Sequence, residues 1–462
     1  MNKIISKIAF LLLTGFLLVA CFSSQVFAHE VNKSAIVLLV CKSKSGTTIS
    51  TGTGFVVKPN GTLITNYHVL VDSASVNAIF SNGDIVPVEK ILKVDRIKDF
   101  AVLKLKEGFY STLEIGDSRN VRAYDYSSAL GYLTQNVREE GNRAKGKILQ
   151  TYGFVLGVHP QAFPDFAYLY TTTPFGPGFS GGPVVDKNNK VVGIATIEGR
   201  AINLALPIHE VQPFLDETQA MTFEQLLQED RQSSEAMYYR GNFALYAQGD
   251  LDKADAFFQN VLKDDPNYVL ALYDMAVVNR DKGSIEQAVS DYEKVVAINP
   301  DFPEALSNLG GYYFRSGKLK QAVAMFQNAV RVYPNFIQAL SNLGAALNKL
   351  DRSSEAIPHL KKTISLDPQF AIAYYNLGNS YFSMNQLDHA HTAYNQAVTL
   401  GVDFLSLHWK LYETTHRLGN YREARKQLNI ILRMDPENRE IENLIAQLRS
   451  VRSEAAKATE LR

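Results

Sequence analysis

Cysteine is nearly absent. Cys21 and Cys41 are the two in 462 residues, so no disulfide framework supports the fold. Neither sign of charge is in excess, because 47 lysines and arginines meet 47 aspartates and glutamates. That balance argues against nucleic acid or a polyanionic surface as the main partner. Beyond the N-terminus no apolar run reaches bilayer-spanning length. The chain also lacks a phosphate-cradling loop, a cysteine cluster and any cofactor motif, so neither cofactor nor metal is expected. His389 and His391 resemble a metal pair, but residues two apart on a helix face different sides and cannot share an ion.

What is present begins with a leader. Met1 to Lys7 is basic and Ile8 to Ala20 is almost wholly apolar, the pattern of a secretory signal. Two endings compete. Val26-Phe27-Ala28 fits ordinary signal-peptidase cleavage after residue 28, and Leu18-Val19-Ala20-Cys21 resembles a bacterial lipobox, which would cut after residue 20 and lipidate Cys21. Either ending puts the mature protein outside the cytoplasm, in the periplasm or secreted, with Cys21 as the one membrane link. Cys41, inside the apolar run Ile36 to Cys41, is expected to be a buried thiol.

From 31 to 215, short apolar runs are separated by Gly, Asn and Asp, and helical periodicity is weak, which predicts an all-β barrel or sandwich. Within it, Pro177-Gly178-Phe179-Ser180-Gly181-Gly182-Pro183 reads as a tight loop presenting one hydroxyl before a strand. Ser180 is the candidate nucleophile, with the N–H groups of Gly178 and Ser180 as candidate oxyanion donors. An alcohol needs a base to attack an amide near neutral pH, and a neutral imidazole suits that task if a third group fixes its tautomer. His68 stands at a strand end and Asp99 at a strand start, giving the order histidine, acid, serine. Asp95 and Asp117 are rival acids.

These segments, with Gly52-Thr53-Gly54-Phe55, Thr65-Asn66-Tyr67-His68-Val69, Asp99-Phe100-Ala101-Val102-Leu103-Lys104 and Ile115-Gly116-Asp117-Ser118, resemble the trypsin-like protease domain of the HtrA (Deg) family. The resemblance implies two packed six-stranded barrels, with His68 as general base, Asp99 as its orienting carboxylate and Ser180 as nucleophile. Two positions depart from that family's pattern: Phe179 and Gly176 stand where it usually has Asn. The Phe179 ring is expected beside the oxyanion loop, holding the site either open or collapsed. Pro174, six before the serine, is expected at the base of the pocket for the first substrate side chain, favouring a small or apolar residue there.

After a linker at 216–233 the period changes. Ala254, Ala288, Ala322, Ala356, Ala390 and Ala424 recur every 34 residues, as do Pro266, Pro300, Pro334, Pro368 and Pro436, with Val402 at the one missing proline. This predicts a solenoid of helix pairs. Asn308-Leu309-Gly310 with Tyr313 and Ala322 with Phe326 resemble the tetratricopeptide repeat, implying six repeats over 234–438 and a capping helix and tail over 439–462. Projected on the repeat, Tyr239, Tyr273, Tyr375 and Trp409 share one groove position, and Asn308, Asn342 and Asn376 the next. Rings beside amides can grip an extended peptide.

The sequence therefore points to a multidomain chain: an all-β trypsin-like double barrel and an all-α repeat solenoid. Its expected function is an exported serine endopeptidase acting on protein or peptide substrates, with the repeats recognising a peptide partner. The alternatives are an interaction scaffold with a silent or ligand-gated protease domain, and a chaperone-like factor with slow proteolysis.

Overall fold

The short apolar runs of the first region become strands because β-branched and aromatic side chains pack well on a pleated surface. In the computed structural model, residues 30–133, 138–140, 143–160, 167–196, 203–438 and 440–448 are described. The signal segment, Cys21, and residues 439 and 449–462 of the terminal helix lie outside the described residues. The chain divides into two compact units, Met1–Pro266 and Asn267–Arg462.

In the first unit, β1 (Ile36–Lys42), β2 (Thr48–Lys58), β3 (Thr62–Thr65), β4 (Ser75–Phe80), β5 (Ile85–Asp95) and β6 (Phe100–Leu105) close into an antiparallel barrel in the order β1-β2-β3-β6-β5-β4. A second barrel takes β7 (Tyr126–Tyr132), then, after the small hairpin β8 (Arg138–Glu140) and β9 (Arg143–Lys145), β10 (Ile148–Pro160), β11 (Ala167–Thr171), β12 (Pro183–Val185), β13 (Val191–Thr196) and β14 (Asn203–Pro207). Its order is β10-β11-β14-β13-β12-β7. The barrels meet at Thr53, whose Oγ1 accepts from the Tyr132 N–H at 2.9 Å and donates to the Gly178 carbonyl at 2.6 Å. One side chain of β2 thus fixes the second barrel's serine loop against the first barrel.

Strand β1 is buried on both faces, hence its unbroken apolar run. Cys41 is free there, and burial pushes its thiol up to about 12, against a smaller opposing effect of its hydrogen bond to Ser73. A raised thiol pKa withholds the reactive thiolate. Native protein is therefore expected to leave Cys41 unmodified by iodoacetamide at pH 8 and to modify it fully in denaturant, as peptide mass mapping would show.

Residues 216–233 are not a free linker. Met221 pairs with Ile91 of β5, and α1 (Phe223–Asp230) follows under a capping box in which Thr222 and Gln225 satisfy each other's backbone N–H groups. Next come α2 (Ser234–Phe243), a π-helical turn (Ala244–Gln248) ended by Gly249 at φ 68°, and α3 (Leu251–Asp264). The first helix pair therefore belongs to the same unit as the barrels.

The second unit holds α4 (Val269–Asp281), α5 (Ile285–Ile298), α6 (Pro303–Arg315), α7 (Leu319–Val332), α8 (Ile337–Lys349), α9 (Ser353–Leu366), α10 (Ala371–Ser383), α11 (Leu387–Thr399), α12 (Leu405–Arg417) and α13 (Tyr421–Met434). Its periodicity has two physical causes. The alanine of each second helix is fully buried, and a Cβ on Gly310, Gly344 or Gly378 would lie 2.8, 2.5 or 2.4 Å from Phe326, Leu360 or Tyr394, so small residues let the paired helices approach. The prolines act through the residue before them, which cannot stay helical. Asn299, Tyr333, Asp367 and Asp435 are driven to φ between −126° and −138°, whereas Gly401, which precedes Val402 instead of a proline, takes φ 90°. Past α13, Ile441, Ile445 and Leu448 of the terminal helix cover Ala424, Leu428 and Ile431.

The repeat projection does not produce a matched groove. Tyr273 packs against Tyr292 and Phe302, and Asn308 donates to the hydroxyls of Tyr273 at 3.1 Å and Tyr292 at 3.3 Å. Asn342 is exposed, while Asn376 is buried. Equal spacing gave these amides equal positions, yet the differing neighbours of each repeat gave them unequal work. His389 packs on the Tyr381 ring and His391 bonds Asn395, so the two histidines go separate ways.

Candidate active site

Strand β3 ends at Thr65, and a short 3-10 turn, His68–Leu70, carries the histidine. Asp99 stands immediately before β6 at φ 57°, a left-handed conformation that costs about 1–2 kcal/mol. The surroundings hold it there. Its carbonyl accepts from Asn66 Nδ2 at 2.7 Å, and its carboxylate accepts from the His68 backbone N–H at 2.9 Å, His68 Nδ1 at 2.7 Å and Thr196 Oγ1 at 3.0 Å. The Asp99 side chain is 1% exposed and His68 26%. A carboxylate can only accept, so Nδ1 carries the proton and Nε2 is left as the basic nitrogen.

The serine loop is pinned on both sides. Thr53 N–H donates to the Ser180 carbonyl at 2.8 Å, Gly181 N–H to Ala195 of β13 at 2.9 Å, and Phe179 N–H to Gly176 at 3.0 Å. Gly181, at φ 83°, has Thr65 Oγ1 and the Thr53 carbonyl within 2.3 Å of where a Cβ would sit, so no other residue fits. Around it the N–H groups of Phe179, Gly181 and Gly182 are all bonded. Those of Gly178 and Ser180 make no hydrogen bond among the described residues, and the Gly178 φ of 96° sets this alternation. Ser180 and His68 line one cavity, and Ser180 Oγ makes no hydrogen bond among the described residues.

The two rival acids are occupied elsewhere. Asp95 accepts from the N–H groups of Ile97 and Lys98 in a turn, and Asp117 caps the turn of Ser118–Asn120, where Arg119 holds its carboxyl below the usual range. Phe179 corrects an expectation: its ring is 2% exposed in the second barrel's core with Ala129, Leu169, Val184 and Val192, against Gly131 and stacked on Phe175. It does not line the cavity. Pro174 is also outside the cavity, exposed to solvent, its carbonyl accepting from Thr151. Tyr239 moves the other way, since it stacks on His68 with ring centres 6.1 Å apart and lines the cavity rather than a repeat groove. Thr196, 97 residues from Asp99 in the chain, carries no local signal and was not singled out in the sequence.

The His68 loop is bolted to α1 and to the first helix pair. Tyr67 donates to Asp230 at 2.8 Å, Arg96 Nε donates to the same carboxylate oxygen at 2.9 Å, and Arg240 pairs with Asp72. Asp230 is fully buried, and that burial raises its pKa against the lowering effect of Tyr67 and Arg96.

Two antiparallel six-stranded barrels with a histidine–carboxylate pair and a glycine-flanked serine at their junction define a trypsin-like peptidase domain. The sequence profile described as "Trypsin-like peptidase domain" matches residues 52–194, and tetratricopeptide repeat profiles match 235–268, 278–317, 304–333, 352–384 and 371–401. The chain is 30% identical over 183 residues to "Serine protease HTRA2, mitochondrial" of Drosophila virilis, covering 37% of this chain and 41% of that one. It is 27% identical over 181 residues to "Probable periplasmic serine endoprotease DegP-like" of Rickettsia prowazekii (strain Madrid E), covering 38% and 34%. The match thus spans about two fifths or less of the length of these curated relatives. The chain carries an HtrA-like serine protease domain followed by tetratricopeptide repeats.

Proposed function

We propose that the protein is an exported serine endopeptidase using His68, Asp99 and Ser180. The observation that carries this reading is the 2.7 Å bond from His68 Nδ1 to the buried Asp99, on a cavity that Ser180 shares. In this mechanism Ser180 Oγ attacks the peptide carbonyl carbon as His68 Nε2 takes its proton. The oxyanion that forms accepts from the N–H groups of Gly178 and Ser180. Collapse breaks the C–N bond, His68 gives its proton to the leaving amine, and water hydrolyses the acyl-enzyme by the same route. The repeats act in recognition of protein partners. The signal segment places the mature chain outside the cytoplasm, with attachment through Cys21 if the lipobox ending is used.

The scaffold alternative rests on Phe179, and with that ring in the barrel core nothing at the site favours it. Ser180→Ala is expected to lower hydrolysis of an unfolded protein substrate by about 10⁶-fold in kcat. Hydrolysis by the Ser180→Ala variant at the wild-type rate would overturn the reading.

A further inference from the structure

The first helix pair contributes to the cavity that holds His68 and Ser180. Of about 640 Å³, it is lined on the barrel side by Ile49 and Phe175, and on the helical side by Tyr239, Phe243 and Tyr246. The helical side owes its shape to a local irregularity. The first helices α4, α6, α8, α10 and α12 are each 13 residues of regular α-helix, whereas α2 gives way after 10 residues to the π-helical turn Ala244–Gln248. That turn brings Tyr246 and Ala247 to the cavity wall. Phe243 beside it is 46% exposed, a large apolar ring left partly uncovered at the mouth of a cleft. No aspartate, glutamate, lysine or arginine lines the cavity among the described residues, so a charged side chain entering it finds no counter-ion.

We infer that this cavity is a substrate subsite built jointly by the protease domain and the first repeat, and that its occupant is a bulky apolar side chain, aromatic or branched aliphatic, of an extended polypeptide within two residues of the scissile bond. The inference rests on the endopeptidase reading. Three observations fit that occupant: apolar rings on both walls, the lack of lining charge, and continuity with the catalytic pair. A volume of this size accepts a large side chain with its flanking backbone. The first repeat thereby acts as a specificity element of the protease rather than as part of a separate peptide groove.

The test uses the full-length protein and quenched fluorescent peptides that differ at one position, carrying Phe, Leu, Ala, Asp or Lys in turn at each site within two residues of the cleaved bond. At one of these sites kcat/KM for Phe or Leu is expected to exceed that for Ala by roughly tenfold or more, and Asp and Lys to be poorest. Phe243→Ala, which truncates a half-exposed ring, is expected to lower the Phe-to-Ala ratio at that site at least fivefold. Phe243→Glu is expected to raise kcat/KM for the Lys peptide relative to the Phe peptide by a similar factor. If wild-type protein reacts with a fluorophosphonate at Ser180 and both variants keep the wild-type ratios within twofold, the subsite is wrong and the endopeptidase reading stands. If wild-type Ser180 never takes the reagent, the endopeptidase reading falls and the subsite falls with it.

Discussion

Asp99→Asn is expected to lower kcat/KM by roughly 10⁴-fold while leaving the barrels folded. The carboxylate accepts three hydrogen bonds, from the His68 backbone, His68 Nδ1 and Thr196 Oγ1. An amide of the same shape still offers one acceptor oxygen, but its NH₂ group donates. Facing Nδ1, that NH₂ stabilises the tautomer with the proton on Nε2, which is then no longer a base. The imidazolium that forms during attack also loses its anionic neighbour. Parallel measurement of peptide hydrolysis and thermal unfolding checks this: a loss of this size with Tm changed by a few degrees at most is the expected pair. Activity within tenfold of wild type would remove Asp99 from the mechanism.

Asp230→Ala is expected to have the largest effect of any substitution in α1. Its carboxylate is fully buried and holds both the Tyr67 hydroxyl and the Arg96 guanidinium. Removing it leaves a largely buried cation and a hydroxyl without their acceptor, a situation that costs about 3–5 kcal/mol. The neighbouring ion pairs cannot compensate, because Glu229 and Asp72 are about half exposed and such pairs contribute up to about 1 kcal/mol each. In a unit of this size the loss corresponds to a fall in Tm of about 10 °C. Activity is expected to fall too, since Tyr67 is the residue before His68 and Tyr239 stacks on its ring. Asp230→Asn keeps one acceptor and is expected to lose less on both measures. A Tm within 1 °C of wild type for Asp230→Ala would show that α1 is not anchored to the first barrel through this carboxylate.

What was legible in the sequence was what depends on local spacing. The glycine-flanked serine, the histidine at a strand end and the acid opening β6 each carry their own neighbourhood. The 34-residue period reports helix pairing directly, because the buried alanine and the helix-ending proline act within one repeat. Illegible were the features decided by distant partners. Phe179 looked like a ring beside the nucleophile, but its place is set by Gly131 and a barrel core assembled from residues as far off in the chain as Val121, 58 positions before it. Tyr239 occupies a groove position by repeat arithmetic, yet the first pair packs on the barrels through Tyr67 and Asp72, and no periodicity encodes that docking. Asn308, Asn342 and Asn376 share a repeat position and differ in burial for the same reason. Thr196 became visible as a support of Asp99 only when β13 closed the second barrel beside the first.

On the proposed reading Ser180 is a nucleophile made reactive by His68. This is tested most directly by treating the intact protein with a fluorophosphonate and mapping the adduct by mass spectrometry, alongside His68→Ala and Ser180→Ala. One adduct is expected, on Ser180, absent in Ser180→Ala and formed far more slowly in His68→Ala. An adduct on another residue, or equal labelling of Ser180 with and without His68, would contradict it.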